Sequence, residues 1–156
     1  MYAAEAARLR AALPPGLIRD TEHFGSTAIP GMPAKPIIDI LVAVGSIEAA
    51  REAAVRPMEA LGYAFWAENP KRDRLFFVKG LPPSAPRRTH YVHMCELGGE
   101  MWRRLVFRDF LRADAEEAGR YAALKRKLAV RFREDREGYT EAKAGYVEGV
   151  LVRAVR

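Results

Sequence analysis

EHFGSTAIPGMPAKPIIDILVAV, residues 22–44, places a glycine- and proline-rich segment directly before an apolar, β-branched run. The run at residues 37–44 is interrupted by one carboxylate, Asp39, and it predicts a central strand that is buried on both faces. Before it, Gly25-Ser26-Thr27 predicts a turn, because glycine can adopt a positive φ and a hydroxyl can cap a helix. A loop that only connects two elements seldom needs so many special residues. The stretch therefore indicates a phosphate-binding turn placed opposite a metal-binding carboxylate.

Composition limits the class of protein. The 156 residues are 49% apolar, which suffices for one ordinary core, so we expect a single domain over residues 1–156. The single cysteine, Cys95, excludes an internal disulfide and favours a reducing compartment. Because charges interrupt every apolar stretch, we expect a cytoplasmic protein with no signal peptide and no membrane partner. The net charge of +6 favours an anionic partner, although an arginine-rich surface without a partner gives the same signal.

The first two thirds of the chain predict short strands and two helices. Ser46 is a predicted N-cap, and the second helix is expected to form despite Pro57. In the last strand, alternation places Tyr91 and His93 on the face opposite His90. The predicted helices lie at residues 2–13 and 46–61, and the predicted strands lie at residues 17–23, 37–44, 63–66, 75–78 and 89–96.

From residue 100 onward the apolar residues recur at three and four positions, which is the period of a helix. Asp114 is a predicted N-cap, and residues 139–155 predict a last helix. The order of elements predicts an α+β fold, with a mixed β-sheet covered by helices and a helical C-terminal third. The predicted core-facing positions are Trp102, Leu105, Val106, Phe110, Tyr121, Leu124, Leu128 and Phe132.

The opening stretch also predicts chemistry. A Gly-Ser turn that leads into a helix presents N–H groups and a hydroxyl to terminal phosphates, so Gly25, Ser26 and Thr27 are candidate phosphate ligands. Burying a carboxylate in an apolar strand costs free energy unless a cation compensates its charge. Asp39 is therefore the candidate metal ligand and a candidate catalytic residue. Mg²⁺ is the expected cofactor, because it is held by one or two carboxylates plus substrate phosphates. The alternatives are an ordinary turn and an Asp39 that only accepts a backbone hydrogen bond.

Cations near this stretch are candidates for the same ligand. Lys35 precedes Pro36 and should project from an extended loop near the strand entry. Arg74 and Lys79 flank an aromatic strand and are assigned to phosphate binding, with residues 87 and 88 as weaker candidates. For all of them, a solvated surface charge is the alternative.

Histidines and aromatic residues divide between site and core. His90 and His93 are three apart on a strand, so they should not share a metal. His93 is the catalytic candidate, for substrate contact or proton transfer, and a structural hydrogen-bonded histidine is the alternative. Phe107 and Tyr121 are assigned to the core with the other aromatic residues of the helical region, and residues 125–127 (Lys-Arg-Lys) are assigned to a solvated helix face.

Several separated segments resemble the GrpB family, also called UPF0157. They are HFGSTAIPGMPAKPIIDILV, RLFFVKG, RTHYVHMCE and FRDFLRADAEEAGRYAALKRKLA. The resemblance implies a nucleotidyltransferase-like fold, similar to the DNA polymerase β superfamily, in which an apolar-Gly-Ser turn precedes an acid-apolar-acid-apolar strand. Residues 24–26 and 39–42 match that pattern. The resemblance also implies that this chain starts later than members with an extra strand before the first helix.

One departure from that pattern separates two functions. Leu41 occupies the position of the second metal-binding acid, and only Glu22, Asp73 or Glu96 could replace it. The first function is binding of a nucleoside triphosphate with Mg²⁺ and transfer of its nucleotidyl group to an unknown acceptor, with Lys35 and Arg74 stabilising charge on the leaving group. The second is a non-catalytic module that binds a nucleotide or another phosphorylated small molecule. Nucleic-acid binding ranks last, because no strand signature of an RNA module occurs.

Overall fold

The computed structural model describes residues 1–154. It contains five helices, five strands and short 3₁₀ turns at Ser26–Ala28 and Glu100–Trp102. The helices are α1 (Tyr2–Ala12), α2 (Ile47–Ala60), α3 (Arg103–Ala113), α4 (Ala115–Arg131) and α5 (Arg136–Ala154). The strands are β1 (Ile18–Phe24), β2 (Ile38–Val44), β3 (Tyr63–Phe65), β4 (Arg74–Lys79) and β5 (His90–Glu96). The predicted end of the last helix at residue 155 lies outside the described residues.

The five strands form one mixed sheet in the order β1-β2-β5-β4-β3. Strands β2 and β5 are parallel, and the other neighbours are antiparallel. The register places Asp39 beside Phe24 of β1 and Tyr91 of β5, and it places Leu41 beside His93. The predicted α+β fold with a mixed, helix-covered sheet and a helical C-terminal third is confirmed.

The two faces of the sheet are covered differently. Helices α1 and α2 pack on one face, called here the closed face, where Ile40, Phe77 and Met94 are fully buried. The other face, called here the open face, is covered at one side by α3, whose Leu105 packs on Leu41. Because side chains alternate along a strand, Asp39, Leu41, Tyr91 and His93 all belong to the open face.

Helix caps follow the sequence closely. Ser46 Oγ accepts a hydrogen bond from the Ala49 N–H at 3.3 Å, and the Asp114 carboxylate accepts one from the Glu117 N–H at 3.0 Å. Both predicted N-caps are therefore confirmed. Among residues 1–154, no helix combines the length and the apolar content that crossing a lipid bilayer requires.

Two local predictions were wrong. The turn after Gly25 leads into a single 3₁₀ turn rather than a longer helix, because Ile29 precedes Pro30 and is extended (φ −109°, ψ 118°). In α3 the predicted core position Val106 is 38% exposed, whereas Phe107 and Arg108 are buried. Of the predicted core positions in this region, Val106 alone is exposed, because Leu105 is buried and Trp102 and Phe110 pack against core clusters.

Candidate functional site

A cleft of about 620 Å³ opens on the open face. Its walls are the turn after β1, the start of β2 and the inner sides of α3, α4 and α5. The volume lies within the range of pockets that enclose small-molecule ligands. Seven cationic side chains line it: Lys35, Arg74, Arg104, Arg108, Lys125, Arg126 and Lys143.

The turn and the carboxylate of the opening stretch are in direct contact. Gly25 has φ +75°, and a Cβ at this position would lie 2.6 Å from Asp39 Oδ2. A side chain at residue 25 would thus be strained by the backbone and would also collide with the carboxylate. Position 25 therefore requires glycine, because the Asp39 carboxylate approaches the turn too closely for a side chain.

Burial raises the pKa of Asp39 to about 6, and the positive charges of Lys143, Arg104 and Lys125 oppose that shift. A carboxylate that loses its hydration without a full counter-charge is a favourable partner for a cation. Asp39 is the one carboxylate among the described residues that line the cleft.

Lys125 of α4 contacts the turn at residues 25–27, although the sequence predicts a solvated face for it. Its Nζ donates hydrogen bonds to Ser26 Oγ and, at 2.7 Å, to the Pro33 carbonyl oxygen. Burial lowers its pKa to about 8, and Lys143 lowers it further while Asp39 raises it. A signal for this position exists in the sequence, because Tyr121, Lys125 and Leu128 follow the helical spacing of one buried stripe.

Two further cations of the cleft come from helices. Lys143 on α5 also lines it, and burial together with Arg104 lowers the Lys143 pKa. Arg108 is already held, because its Nη1 donates to Glu22 Oε2 at 2.7 Å and to the His23 carbonyl oxygen at 2.8 Å. The cations that lower the pKa of Asp39 are Lys143, Arg104 and Lys125.

His93 lies at the floor of the cleft between aromatic rings. Its ring is edge-on to Phe24, with centroids 5.3 Å apart, and tilted against Phe76, with centroids 4.6 Å apart. Burial lowers its pKa to about 3, with Arg104 and Arg74 adding to the shift, so the imidazole is neutral near pH 7. Its Nδ1 is buried and has no hydrogen-bond partner within residues 1–154. The geometry suits a neutral hydrogen-bonding group rather than a proton donor.

No second acid lies beside Asp39 in the described structure. Leu41 is fully buried in an apolar cluster with Phe24, Cys95, Met101 and Leu105. Of the expected replacements, Glu22 is paired with Arg108, Asp73 is paired with Arg74, and Glu96 is at the far end of β5, about 17 Å along the strand from residue 91. In the part of the chain described, no cluster of three or more His, Cys, Asp or Glu side chains could hold a metal ion.

The predicted residues separate into two groups. Gly25, Ser26, Thr27, Lys35, Asp39, Arg74 and His93 all line the cleft. Lys79 does not, and that assignment needs correction. Strand alternation turns its side chain to the closed face, where Nζ donates to Glu5 Oε1 at 3.0 Å.

Thr27 has a structural contact within the site. Its Oγ1 donates to the Ile37 carbonyl oxygen at 3.2 Å and lies 3.0 Å from His23 Nε2. These contacts connect the turn at residues 25–27 to the residue directly before β2. Phe107 and Tyr121, expected only in the core, also line the cleft.

Comparisons with known proteins agree with this architecture. The family model described as GrpB protein matches residues 1–153. A UPF0157 protein of Pseudomonas aeruginosa is 48% identical over 155 residues, which cover 99% of this chain and 62% of that protein. The crystal structure of conserved protein GrpB from Enterococcus faecalis matches with a TM-score of 0.83 at 31% identity and covers 98% of this chain and 89% of that chain.

A third relative is longer and carries another name. A dephospho-CoA kinase of Mycolicibacterium paratuberculosis is 33% identical in an alignment that covers 85% of this chain and 38% of that protein. This chain thus spans less than two thirds of the length of both curated relatives. Since the family match extends over nearly all residues and the fold agrees with that of a solved GrpB protein, the chain belongs to the GrpB family.

Proposed function

We propose that this protein binds a nucleoside triphosphate in the cleft, with the phosphates against the turn at residues 25–27. The observation that carries the proposal is the charge of the walls, where seven lysine and arginine side chains face a single carboxylate. Such an excess of one sign in a partly enclosed cleft concentrates anions of the opposite sign. A polyphosphate supplies the several negative charges that this lining can compensate.

The terminal phosphates are assigned to Ser26 and Lys125. Lys125 already donates to the Ser26 hydroxyl, and a phosphate oxygen can replace that acceptor without moving the lysine far. Arg104 and Lys143 supply further positive charge from α3 and α5. The nucleobase is assigned to the aromatic part of the wall, which includes Tyr139, because aromatic rings stack on bases without strong sequence preference.

Magnesium fits this cleft only together with the ligand. Asp39 offers one partly desolvated carboxylate, and Mg²⁺ is commonly held by one or two carboxylates plus substrate phosphates. Asp39 would hold the ion, which when bound neutralises phosphate charge. His93 is assigned to hydrogen bonding with the ligand in its neutral form.

One relative supports a nucleotide-related ligand in general terms. The Mycolicibacterium protein, of which this chain matches 38%, is named a dephospho-CoA kinase. A cytoplasmic setting, where nucleoside triphosphates are abundant, suits this proposal and the single buried Cys95.

Nucleotidyl transfer to an acceptor is the second candidate function. The contact between the Gly25-Ser26 turn and Asp39 in one open cleft favours it. The burial of Leu41 among apolar side chains favours a module that binds without transfer, because a second metal would lack a ligand. Pyrophosphate release that requires a triphosphate together with a cell extract as the source of the acceptor, and that is lost in Asp39→Asn, would favour transfer over binding alone.

The binding proposal is tested by titration calorimetry with ATP, GTP, CTP and UTP, with and without Mg²⁺. We expect Lys125→Met to lower triphosphate affinity about tenfold or more, which is roughly the contribution of one hydrogen bond to a charged group. Lys127→Met is the matched control, because Lys127 is an exposed lysine on the same helix that does not line the cleft. Equal losses in both variants would show that general surface charge, rather than this cleft, attracts the nucleotide.

Asp39→Asn tests the metal separately. Without Mg²⁺ the variant should bind ATP as well as the natural protein or better, since one negative charge is removed from the wall. With Mg²⁺ the natural protein should gain affinity and the variant should not. A gain that is unchanged in Asp39→Asn removes the carboxylate from metal binding.

A further inference from the structure

We infer that a second, smaller cavity beside the cleft is a subsite for a phosphate group of a second ligand, the acceptor in any transfer. This cavity has a volume of about 270 Å³ and shares Lys35, Ile37 and Tyr91 with the wall of the main cleft. Its size suits a phosphate with a small organic group rather than a complete nucleotide, because whole-ligand pockets begin at about 300 Å³. The inference rests on the proposed function, since it assigns a ligand to the space next to the bound triphosphate.

Four cations line the small cavity, and they come from three separate segments. Lys35 lies in the loop before β2, Arg87 and Arg88 lie in the loop before β5, and Arg136 begins α5. No carboxylate belongs to the lining. Within the described chain, none of the four has an Asp or Glu oxygen within 4.0 Å. All four residues are exposed, and a phosphate dianion offers the negative charge and the acceptor oxygens that such a group of lysine and arginine side chains can bind.

The fold holds the two arginines of this cavity in place. A Cβ on Gly80 (φ +97°) would lie 2.3 Å from the Arg87 carbonyl oxygen and 2.9 Å from Arg88 Cα, so the loop returns tightly over this glycine. The Thr89 N–H donates to the Lys79 carbonyl oxygen at 2.9 Å, and this bond pins the end of the loop to β4. These contacts fix the backbone that carries both guanidinium groups.

Tyr91 orders one of those guanidinium groups. Arg88 Nη1 donates to Tyr91 Oη at 3.1 Å, and the guanidinium also lies 6.0 Å from the centre of the Tyr91 ring. Tyr91 also lines the main cleft, as Lys35 and Ile37 do, so these three residues lie between the proposed triphosphate and the second phosphate. The geometry therefore suits two ligands bound side by side.

The test is calorimetric titration of inorganic phosphate into the protein, first alone and then saturated with ATP. We expect phosphate binding to persist in the presence of ATP and to weaken about tenfold or more in the double variant Arg87→Ala/Arg88→Ala. The same variant should bind ATP within about threefold of the natural protein. The matched control is Arg131→Ala/Arg133→Ala, which removes two exposed arginines that line neither cavity and should leave both affinities within about twofold.

Three results overturn the inference. The first is loss of phosphate binding on saturation with ATP, which means that both compete for the main cleft. The second is an equal loss in the two double variants, which means that only net charge is sensed. The third is absence of phosphate binding while ATP binding depends on Lys125, and in that case the subsite fails alone. If ATP fails to bind while phosphate still responds to residues 87 and 88, the proposed function fails and the subsite remains. Thermal melting checks that both double variants are folded.

Discussion

Gly25 is the residue at which backbone conformation and site chemistry meet. Its positive φ turns the chain after β1, and its missing side chain leaves the space in which Asp39 Oδ2 approaches the turn. Any side chain here must displace the carboxylate or reshape the turn. The consequence is a residue whose substitution should affect stability and ligand binding together.

Gly25→Ala is therefore expected to lower the free energy of unfolding by more than the roughly 1–2 kcal/mol of a strained positive φ, because the new methyl group also contacts Asp39. Its Mg²⁺-dependent affinity for ATP should fall as the carboxylate is displaced. Gly31→Ala is the control, since Gly31 has φ +73° but no neighbour within 4 Å of the added Cβ. Denaturant unfolding and calorimetry measure both quantities. Similar losses of ATP affinity in the two variants would mean that backbone strain at a positive φ, and not the Asp39 contact, explains the effect.

Sequence reasoning identified some of the residues of the site and missed others. Gly25, Ser26 and Asp39 could be predicted, because they lie close together in the sequence and interrupt its local regularity. Lys125 was missed because a Lys-Arg-Lys run is typical of a solvated helix face, and this charge pattern outweighed the helical spacing of Lys125 from Tyr121 and Leu128. Lys79 was placed wrongly, since one step along a strand changes the face.

The position of α5 depends on one buried carboxylate of α4. Glu117 is 1% exposed, and its oxygens accept hydrogen bonds from Tyr146 Oη, from Arg153 Nη2 at 2.8 Å and from Arg120 Nη1 at 3.0 Å. Two of these donors are on α5, the helix that brings Lys143 into the cleft. The Glu117 contacts, together with the apolar cluster that contains Val150 and Leu151, thus hold α5 and its Lys143 at the cleft.

Glu117→Gln should destabilise the protein by about 3 kcal/mol, because removing the charge leaves buried donors without their strongest partner. It should also weaken ATP binding by loosening α5. Hydrogen bonds from Arg153 and Tyr146 lower the Glu117 pKa to about 2. Since this folded pKa is below the unfolded one, the stabilisation is complete above about pH 4.5 and is lost as the pH falls through about 2. Denaturant unfolding as a function of pH measures this loss.

Glu116→Gln is the control for that experiment. Glu116 is an exposed residue of the same helical turn, and its pair with Arg120 is a surface ion pair. Its loss should change stability by less than about 0.5 kcal/mol. If both variants show the same pH dependence below pH 4.5, the buried carboxylate is not the source of the acid sensitivity.

Strands and helix caps that depend on neighbouring residues could be predicted from the sequence, whereas features that depend on distant residues could not. The strands β4 and β5 and the caps at Ser46 and Asp114 were found because alternation and capping involve only neighbouring residues. The start of α5 was placed at residue 139 rather than at Arg136, because charged residues there lack an apolar pattern. The packing of α5 through Glu117 involves residues 29 and 36 positions apart, which no local pattern records.

At the scale of the whole molecule, the main apolar core and the cleft proposed for binding lie on opposite faces of the sheet. The closed face contains the largest apolar cluster together with a buried network centred on Glu5, which is 1% exposed. Glu5 accepts hydrogen bonds from Tyr63 Oη at 2.7 Å, from Lys79 Nζ at 3.0 Å and from Arg8 Nη1 at 3.0 Å. The cationic cleft lies on the open face. Substitutions on the closed face should therefore change stability with little effect on ligand affinity, and substitutions in the cleft should do the reverse.

Lys79→Met tests this division. We expect a loss of about 1–3 kcal/mol of unfolding free energy, because Glu5 remains buried with one hydrogen-bonded cation fewer. The affinity for ATP should stay within about twofold of the natural protein. Lys35→Met is the converse variant, since Lys35 is exposed at the cleft, and it should lower affinity while leaving stability nearly unchanged. A clear fall in ATP affinity on Lys79→Met would show that the two faces are coupled.

The cleft takes its wall from distant parts of the polypeptide, from Phe24 near the beginning to Val147 near the end. A newly synthesised chain cannot form this wall until α5 has left the ribosome. A molecule bound there would contact both early and late segments of the chain. At a free concentration of one hundred times its dissociation constant, it would add about 2.7 kcal/mol to the free energy of unfolding.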